Sequence, residues 1–217
     1  MALILVGHRQ KVKPDGMDVS PIICYPITNK AERKHAHMKQ VLLLGDSLRM
    51  GYEPVVRRLL DGKAQVSGPQ ENGRWAGYTL NSLRFWIPEL PTPDVVHLNN
   101  GLWDLGDDYE LGRPFSLPEE YESALDRLVI VLKKQFPKVK IILATTMPTL
   151  VHDRDAVIAY NDIIKKVADR HSLPVNDLFP LIDGKLEQYL CPDQMHLTQE
   201  GFALVAGQVA TTIEAYL

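Results

Sequence analysis

Val41 to Leu44 form an unbroken apolar run that meets Gly45 at once, the pattern of a strand buried on both faces as it enters a loop. Later runs of the same kind predict strands at Ala64–Ser67, Asp94–Leu98, Val139–Thr145 and Leu173–Asn176. Between them the apolar positions change period. Tyr121, Leu125, Leu128, Val129, Leu132 and Phe136 recur at helical spacing, as do Val157, Tyr160, Ile163, Ile164 and Val167. A last helix carries Phe202, Val205, Ala206, Val209 and Ile213 on one side, with Thr198 where an N-cap belongs. Strands alternating with helices imply a parallel sheet, so the expectation is an α/β fold of five parallel strands between helix layers. Residues 1–39 are polar, contain prolines and lack sustained periodicity. They are expected to be an N-terminal extension, packed on the domain or partly disordered, ahead of a catalytic domain over 40–217. No repeat, low-complexity stretch or Gly/Ser-rich linker divides that domain.

Composition narrows the class. A chain of 217 residues, 45% apolar and 24% charged, suits one domain with a full core. With 24 Lys+Arg against 27 Asp+Glu the formal charge is −3, and the basic residues between Lys30 and Lys39 are scattered, so neither nucleic acid nor anionic lipid is expected as a partner. Met1 to Val6 is apolar but has no basic leader and runs into Gly7, His8 and Arg9, so neither signal peptide nor membrane span is expected. Cys24 and Cys191 are the two cysteines, without metal-site spacing, which fits a reducing, cytoplasmic setting.

In an open parallel sheet, ligands bind beyond the carboxyl ends of the strands. There the chain places Gly45-Asp46-Ser47-Leu48, then Gly68 to Trp75, then Asn99 to Asp104; Cys191 to Leu197 precede the last helix. A serine hydroxyl needs a base to take its proton and a third group to fix that base's tautomer. Asp193 and His196, separated by two residues in a turn, can meet each other while the second ring nitrogen faces Ser47. Taken singly, each has a plainer reading: a serine after a strand caps a helix, and an isolated Asp-x-x-His is solvated loop.

Together, in this order, these blocks resemble the SGNH, or GDSL-type, esterase and lipase superfamily over roughly Val41 to Leu217. Gly45-Asp46-Ser47-Leu48 matches its nucleophile block and Asp193-Gln194-Met195-His196 its DxxH block. The resemblance implies a three-layer α/β/α sandwich like that of flavodoxin, and Ser47, Asp193 and His196 as catalytic triad. It also implies three oxyanion donors: the Ser47 N–H, a glycine N–H after the second strand, matched to Gly73 with Gly77 competing, and an Asn side chain in a GxND block. This chain reads Gly101-Leu102-Trp103-Asp104 there. Trp103, whose indole has one N–H and no acceptor, or alternatively Asn100, is then the candidate third donor.

Weaker candidates surround these. Asp183 could compete as the acid but precedes Gly184, where a turn is the plainer role; Cys191 could be a thiol nucleophile but reads better as a small, partly buried side chain. His97 lies inside an apolar strand and reads as core, and His35 and His37 lack further ligands for a metal. Arg49, Arg74, Trp75, Met147 and Pro148 fall at loop positions where they could contact substrate or equally be plain surface or packing. The expectation is a serine esterase without cofactor or metal, acting on a small-molecule ester through an acyl-enzyme. Short acyl groups such as acetyl, with carbohydrate esters among the candidates, follow from the lack of a long apolar lid. Two alternatives stand: a catalytically impaired ester- or sugar-binding relative, and a flavodoxin-like module for a phosphate-bearing ligand, against which no GxGxxG or GxxxxGK[ST] run is present.

Overall fold

The computed structural model describes residues 38–107 and 110–217. The remainder, with His35, His37, Cys24 and nearly all of the expected N-terminal extension, lies outside the described residues. The domain is one parallel sheet. Its strands are β1 (Lys39–Gly45), β2 (Ala64–Ser67), β3 (Val95–Asn99), β4 (Lys140–Ala144) and β5 (Val175–Asn176). They lie in the order β2-β1-β3-β4-β5, every pair parallel. Strand β1 begins at Lys39, two residues before the apolar run, and β5 covers only the last two residues of the stretch expected from Leu173.

Eight helices connect and follow the strands: α1 (Ser47–Leu59), α2 (Ala76–Trp86), α3 (Leu102–Leu105), α4 (Pro118–Gln135), α5 (Arg154–His171), α6 (Phe179–Ile182), α7 (Leu186–Tyr189) and α8 (Gln199–Glu214) among the described residues. Successive residues of a strand point to opposite faces. On β1 that sends Val41 and Leu43 into a core shared with Tyr52 and Val56 of α1 and Val205, Val209 and Ile213 of α8. Leu42 and Leu44 enter a second core with Leu83 and Trp86 of α2, Leu125, Leu128 and Leu132 of α4, and Ile164 and Val167 of α5. Helices thus cover both faces, giving the three-layer α/β/α sandwich. Thr198 caps α8 as expected, its side chain accepting from the Gly201 N–H at 3.2 Å. No helix among the described residues is long and apolar enough to cross a membrane.

His97 is fully buried on β3, where Asn176 Nδ2 lies 3.1 Å from its Nε2, and burial pushes its imidazole down to about 3. It is a neutral core residue, remote in role from the rim chemistry.

Candidate active site

Strand β1 delivers Ser47 as the first residue of α1, half-buried at the sheet's rim, with Asp46 as the N-cap whose carboxylate accepts from the Leu48 N–H at 3.0 Å. The turn needs Gly45. Its φ is +151°, and a Cβ there would sit 2.2 Å from the Asn99 carbonyl oxygen, so a side chain would force β1 and β3 apart.

Opposite the helix start, the loop from Cys191 to Leu197 is closed by short-range bonds. The Cys191 N–H donates to the His196 carbonyl at 2.7 Å, and the Gln194 N–H to the Cys191 carbonyl at 2.9 Å, with Gln194 in the left-handed region at φ +61°. Asp193 is the pin of this turn: its Oδ1 accepts from the N–H groups of Met195 and His196, both at 3.0 Å. Its Oδ2 lies 2.7 Å from His196 Nδ1, and His196 Nε2 lies 2.9 Å from Ser47 Oγ. The His196 ring bond, then the His196 and Met195 N–H groups, hold the Asp193 carboxyl down to about 2. With Nδ1–H donating to that carboxylate, Nε2 is the acceptor facing the hydroxyl. Asp183 is spent elsewhere, in a bidentate pair with Arg154 at 2.8 and 2.7 Å. The Cys191 thiol donates to the Leu197 carbonyl at 3.3 Å and is part of the turn.

The expected oxyanion donors fare unequally. The Ser47 N–H has no acceptor among the described residues. The Gly73 N–H is taken, donating to the Gly45 carbonyl at 3.0 Å. Gly73 is needed there for another reason, because a Cβ would meet that carbonyl oxygen at 2.4 Å. Gly77 sits inside the first turn of α2, against the Trp75 indole. Asn100 is excluded by its own bonds, since its Nδ2 donates to the Arg74 carbonyl at 2.8 Å and to Thr79 Oγ1 at 3.2 Å. Trp103 stands 40% exposed on the cleft wall with its Nε1–H unpartnered among the described residues. Asp104 is buried and holds the loops in place. It accepts from the Ala76 N–H at 3.0 Å and from the Ser116 hydroxyl at 2.7 Å, and burial pushes its carboxyl up to about 6.

Ser47 and His196 open onto a cleft of about 580 Å³, lined also by Asn72, Leu102, Trp103, Asp107, Glu110, Phe115, His152 and Met195. A larger hollow of about 930 Å³ lies between α2 and α4 and includes neither Ser47 nor His196. None of the residues expected as substrate contacts lines the cleft, whereas Trp103, expected as an oxyanion donor, does. Arg49 is 2% exposed and ties the loop after β2 to α1, donating to Glu53 at 2.6 Å and to the carbonyls of Pro69 and Glu71 at 3.0 and 2.8 Å. Met147 is 1% exposed in the α1/α8 core, and Pro148 is buried beside it. Arg74 is exposed with its guanidinium 4.6 Å from the Tyr78 ring, and Trp75 packs on Phe115 at 4.4 Å, facing the larger hollow. Asn72, Leu102 and Met195 lie in the rim blocks that the sequence marks without singling them out, whereas Asp107, Glu110, Phe115 and His152 lie outside those blocks. Met195 carried a signal, lying inside the DxxH block; Phe115 and His152 arrive on loops whose course no local pattern fixes. Among the described residues no group of three or more His, Cys, Asp or Glu side chains is placed to hold a metal ion.

Residues 43–204 match the model of the GDSL-like lipase/acylhydrolase family. No curated protein sequence matches the chain. Solved structures do. A lipase/acylhydrolase from Enterococcus faecalis is 20% identical, with a TM-score of 0.67, covering 82% of this chain and 96% of that one. The acetyl xylan esterase AlAXEase is 21% identical, with a TM-score of 0.65 over 80% and 99% of the two chains. A carbohydrate esterase family 3 protein from Talaromyces cellulolyticus is 19% identical, with a TM-score of 0.62 over 81% and 96%. At such identities the likeness establishes the fold.

Proposed function

The chain belongs to the GDSL-like lipase/acylhydrolase family and is an ester-bond hydrolase, and from that premise we propose that Ser47 is its nucleophile, His196 its general base and Asp193 the group that orients the base. The observation that carries the reading is the line from Asp193 Oδ2 through His196 to Ser47 Oγ, at 2.7 and 2.9 Å. Ser47 Oγ attacks the ester carbonyl carbon while its proton passes to His196 Nε2. The tetrahedral intermediate collapses, the alkoxide leaves with that proton as free alcohol, and the acyl group stays on Ser47. Water then attacks the acyl carbon, giving its proton to His196, which returns it to Ser47 Oγ as the carboxylic acid departs. Negative charge on the former carbonyl oxygen is met by the Ser47 N–H and, in this reading, by the Trp103 indole N–H.

The substrate is a carboxylic ester with a short acyl group and a hydroxyl-bearing alcohol, carbohydrate esters included. The apolar wall of Leu102, Trp103, Phe115 and Met195 in a cleft of about 580 Å³ suits a small acyl group. His152, Asp107 and Glu110 in the same cleft supply polar contacts for an alcohol with hydroxyls. Two structural neighbours bear the names acetyl xylan esterase and carbohydrate esterase, which agrees with that choice.

A panel of p-nitrophenyl esters of increasing chain length tests class and acyl preference together, and falling turnover beyond short chains is expected. Ser47→Ala should lose turnover while keeping the fold, since triad members act as a unit whose loss costs on the order of a millionfold. A fluorophosphonate should label Ser47. An active Ser47→Ala protein, or a label found elsewhere, would end the mechanism.

A further inference from the structure

We propose that the side-chain amide of Asn72 is a catalytic oxyanion donor, taking the place that a backbone N–H of the following glycine would otherwise fill; the proposal rests on Ser47 being the nucleophile. Three backbone donors after β2 are already spent. Gly73 gives its N–H to the Gly45 carbonyl, Arg74 gives its N–H to Asn72 Oδ1 at 2.7 Å, and Ala76 gives its N–H to Asp104. Asn100, the other nearby amide, has both its protons on the Arg74 carbonyl and Thr79. Asn72 is different. It lines the same cleft as Ser47 and His196, and its Nδ2 has no acceptor among the described residues.

The orientation of that amide follows from chemistry. A backbone N–H can bond only to an acceptor, so the atom facing the Arg74 N–H is the amide oxygen, and the NH2 group is the free end. The bond closes an Asx turn from Asn72 to Arg74, with Arg74 in the left-handed region at φ +50°. Asn72 is therefore fixed before substrate arrives, which a donor to developing charge requires if it is to avoid reorganisation in the transition state. It also restores a side-chain amide to a site whose GxND block has Trp103 in the asparagine position.

The test uses Asn72→Ala and Asn72→Ser in the full chain. Ser keeps an oxygen that can accept the Arg74 N–H, but it is uncharged and too short to put a donor into the cleft. For each, kcat and KM on a short p-nitrophenyl ester are measured, together with the affinity of a trifluoromethyl ketone, which Ser47 converts to a tetrahedral oxyanion. Both variants should melt near the parent temperature and still take the fluorophosphonate at Ser47. Both should lose about a hundredfold in kcat with little change in KM, and the ketone should weaken by a similar factor. Near-normal kcat in both would overturn the proposal, as would Ser restoring the kcat that Ala loses, since that assigns Asn72 to holding the turn. Failure of the unaltered protein to take the label at Ser47 would instead sink the triad reading, and this proposal with it.

Discussion

Replacing Asp46 with Asn should make the protein's stability less sensitive to rising pH. The Asp46 side chain is 1% exposed at the start of α1, and burial, reinforced by the nearby Asp104, pushes its carboxyl from 3.8 up to about 7 against the opposing pull of the Leu48 N–H. A carboxyl with a folded-state value above its unfolded one keeps a proton in the fold that the unfolded chain has lost. Its contribution is complete below about 3.9 and is lost as pH rises through about 7. From 3.8 to about 7, at about 1.4 kcal/mol per pH unit, the loss reaches at most about 4 kcal/mol. Asn keeps an oxygen for the Leu48 N–H and is an equally good N-cap, but it cannot ionise. Any cost of its extra N–H groups is the same at every pH, and the raised Asp104 carboxyl adds nearly the same slope to both proteins. The readout is therefore the difference in unfolding free energy between Asp46→Asn and the parent, from urea titrations at pH 4.5 and 8.5. It should move in the variant's favour by roughly 2–4 kcal/mol across that range. A difference that stays flat would mean that Asp46 is already ionised in the fold, its charge met by Arg49 and His196, and would refute the reasoning.

Trp103→Phe keeps the cleft wall and deletes its N–H, so a lost oxyanion bond should lower kcat by roughly ten- to a thousandfold with KM little changed. Near-normal kcat would leave Trp103 as wall alone. Asp193→Asn should lower kcat by roughly a thousandfold or more, because an amide no longer fixes the His196 tautomer. The Asp193 carboxyl is held down to about 2, so its pairing is intact above the ordinary 3.8 and is lost only as pH falls through about 2. The pH profile of kcat/KM between 4 and 9 should accordingly carry no ionisation from Asp193, and removal of an acid-side limb by Asp193→Asn would contradict that.

The elements legible in the sequence are those whose buried faces are uniformly apolar. Strand β1 puts Val41 to Leu44 into two cores at once, so no polar position interrupts the run. The buried face of α4 carries Tyr121, Leu125, Leu128, Val129 and Leu132 and announces its period. By contrast, α1 buries Arg49 and Glu53 on the side it turns inward, and α2 buries Thr79 and Ser82, so polar residues occupy the positions that would have marked a helix. Arg49 is ambiguous in the sequence for the same reason. A cation just after the expected nucleophile looks like a substrate contact, whereas the carboxylate four residues on, Glu53, already accounted for it. The turn carrying Asp193 and His196 was readable because its geometry is local, whereas the cleft wall joins residues as far apart as Asn72, Phe115 and His152.

Gly73 shows why a matched motif position does not transfer its donor. The match is satisfied by two separate properties of glycine, a missing Cβ and an accessible N–H, and sequence cannot say which one the fold uses. Here the missing Cβ is used: it lets the loop after β2 press against the Gly45 carbonyl, and that close approach consumes the N–H in a 3.0 Å bond. The bond has two ends with opposite consequences. At Gly45 it fixes the turn that presents Ser47; at Gly73 it removes a backbone donor from the loop after β2. With the Gly73 N–H spent, Asn72 and Trp103 line the Ser47 cleft with side-chain N–H groups that have no acceptor among the described residues, and both are placed to supply a donor. If each contributes one bond to the oxyanion, the effects of Asn72→Ser and Trp103→Phe on kcat should combine by multiplication. If the two compete for a single bond, the double variant should fall no further than the worse of the singles, and comparing those kcat values decides between the two arrangements.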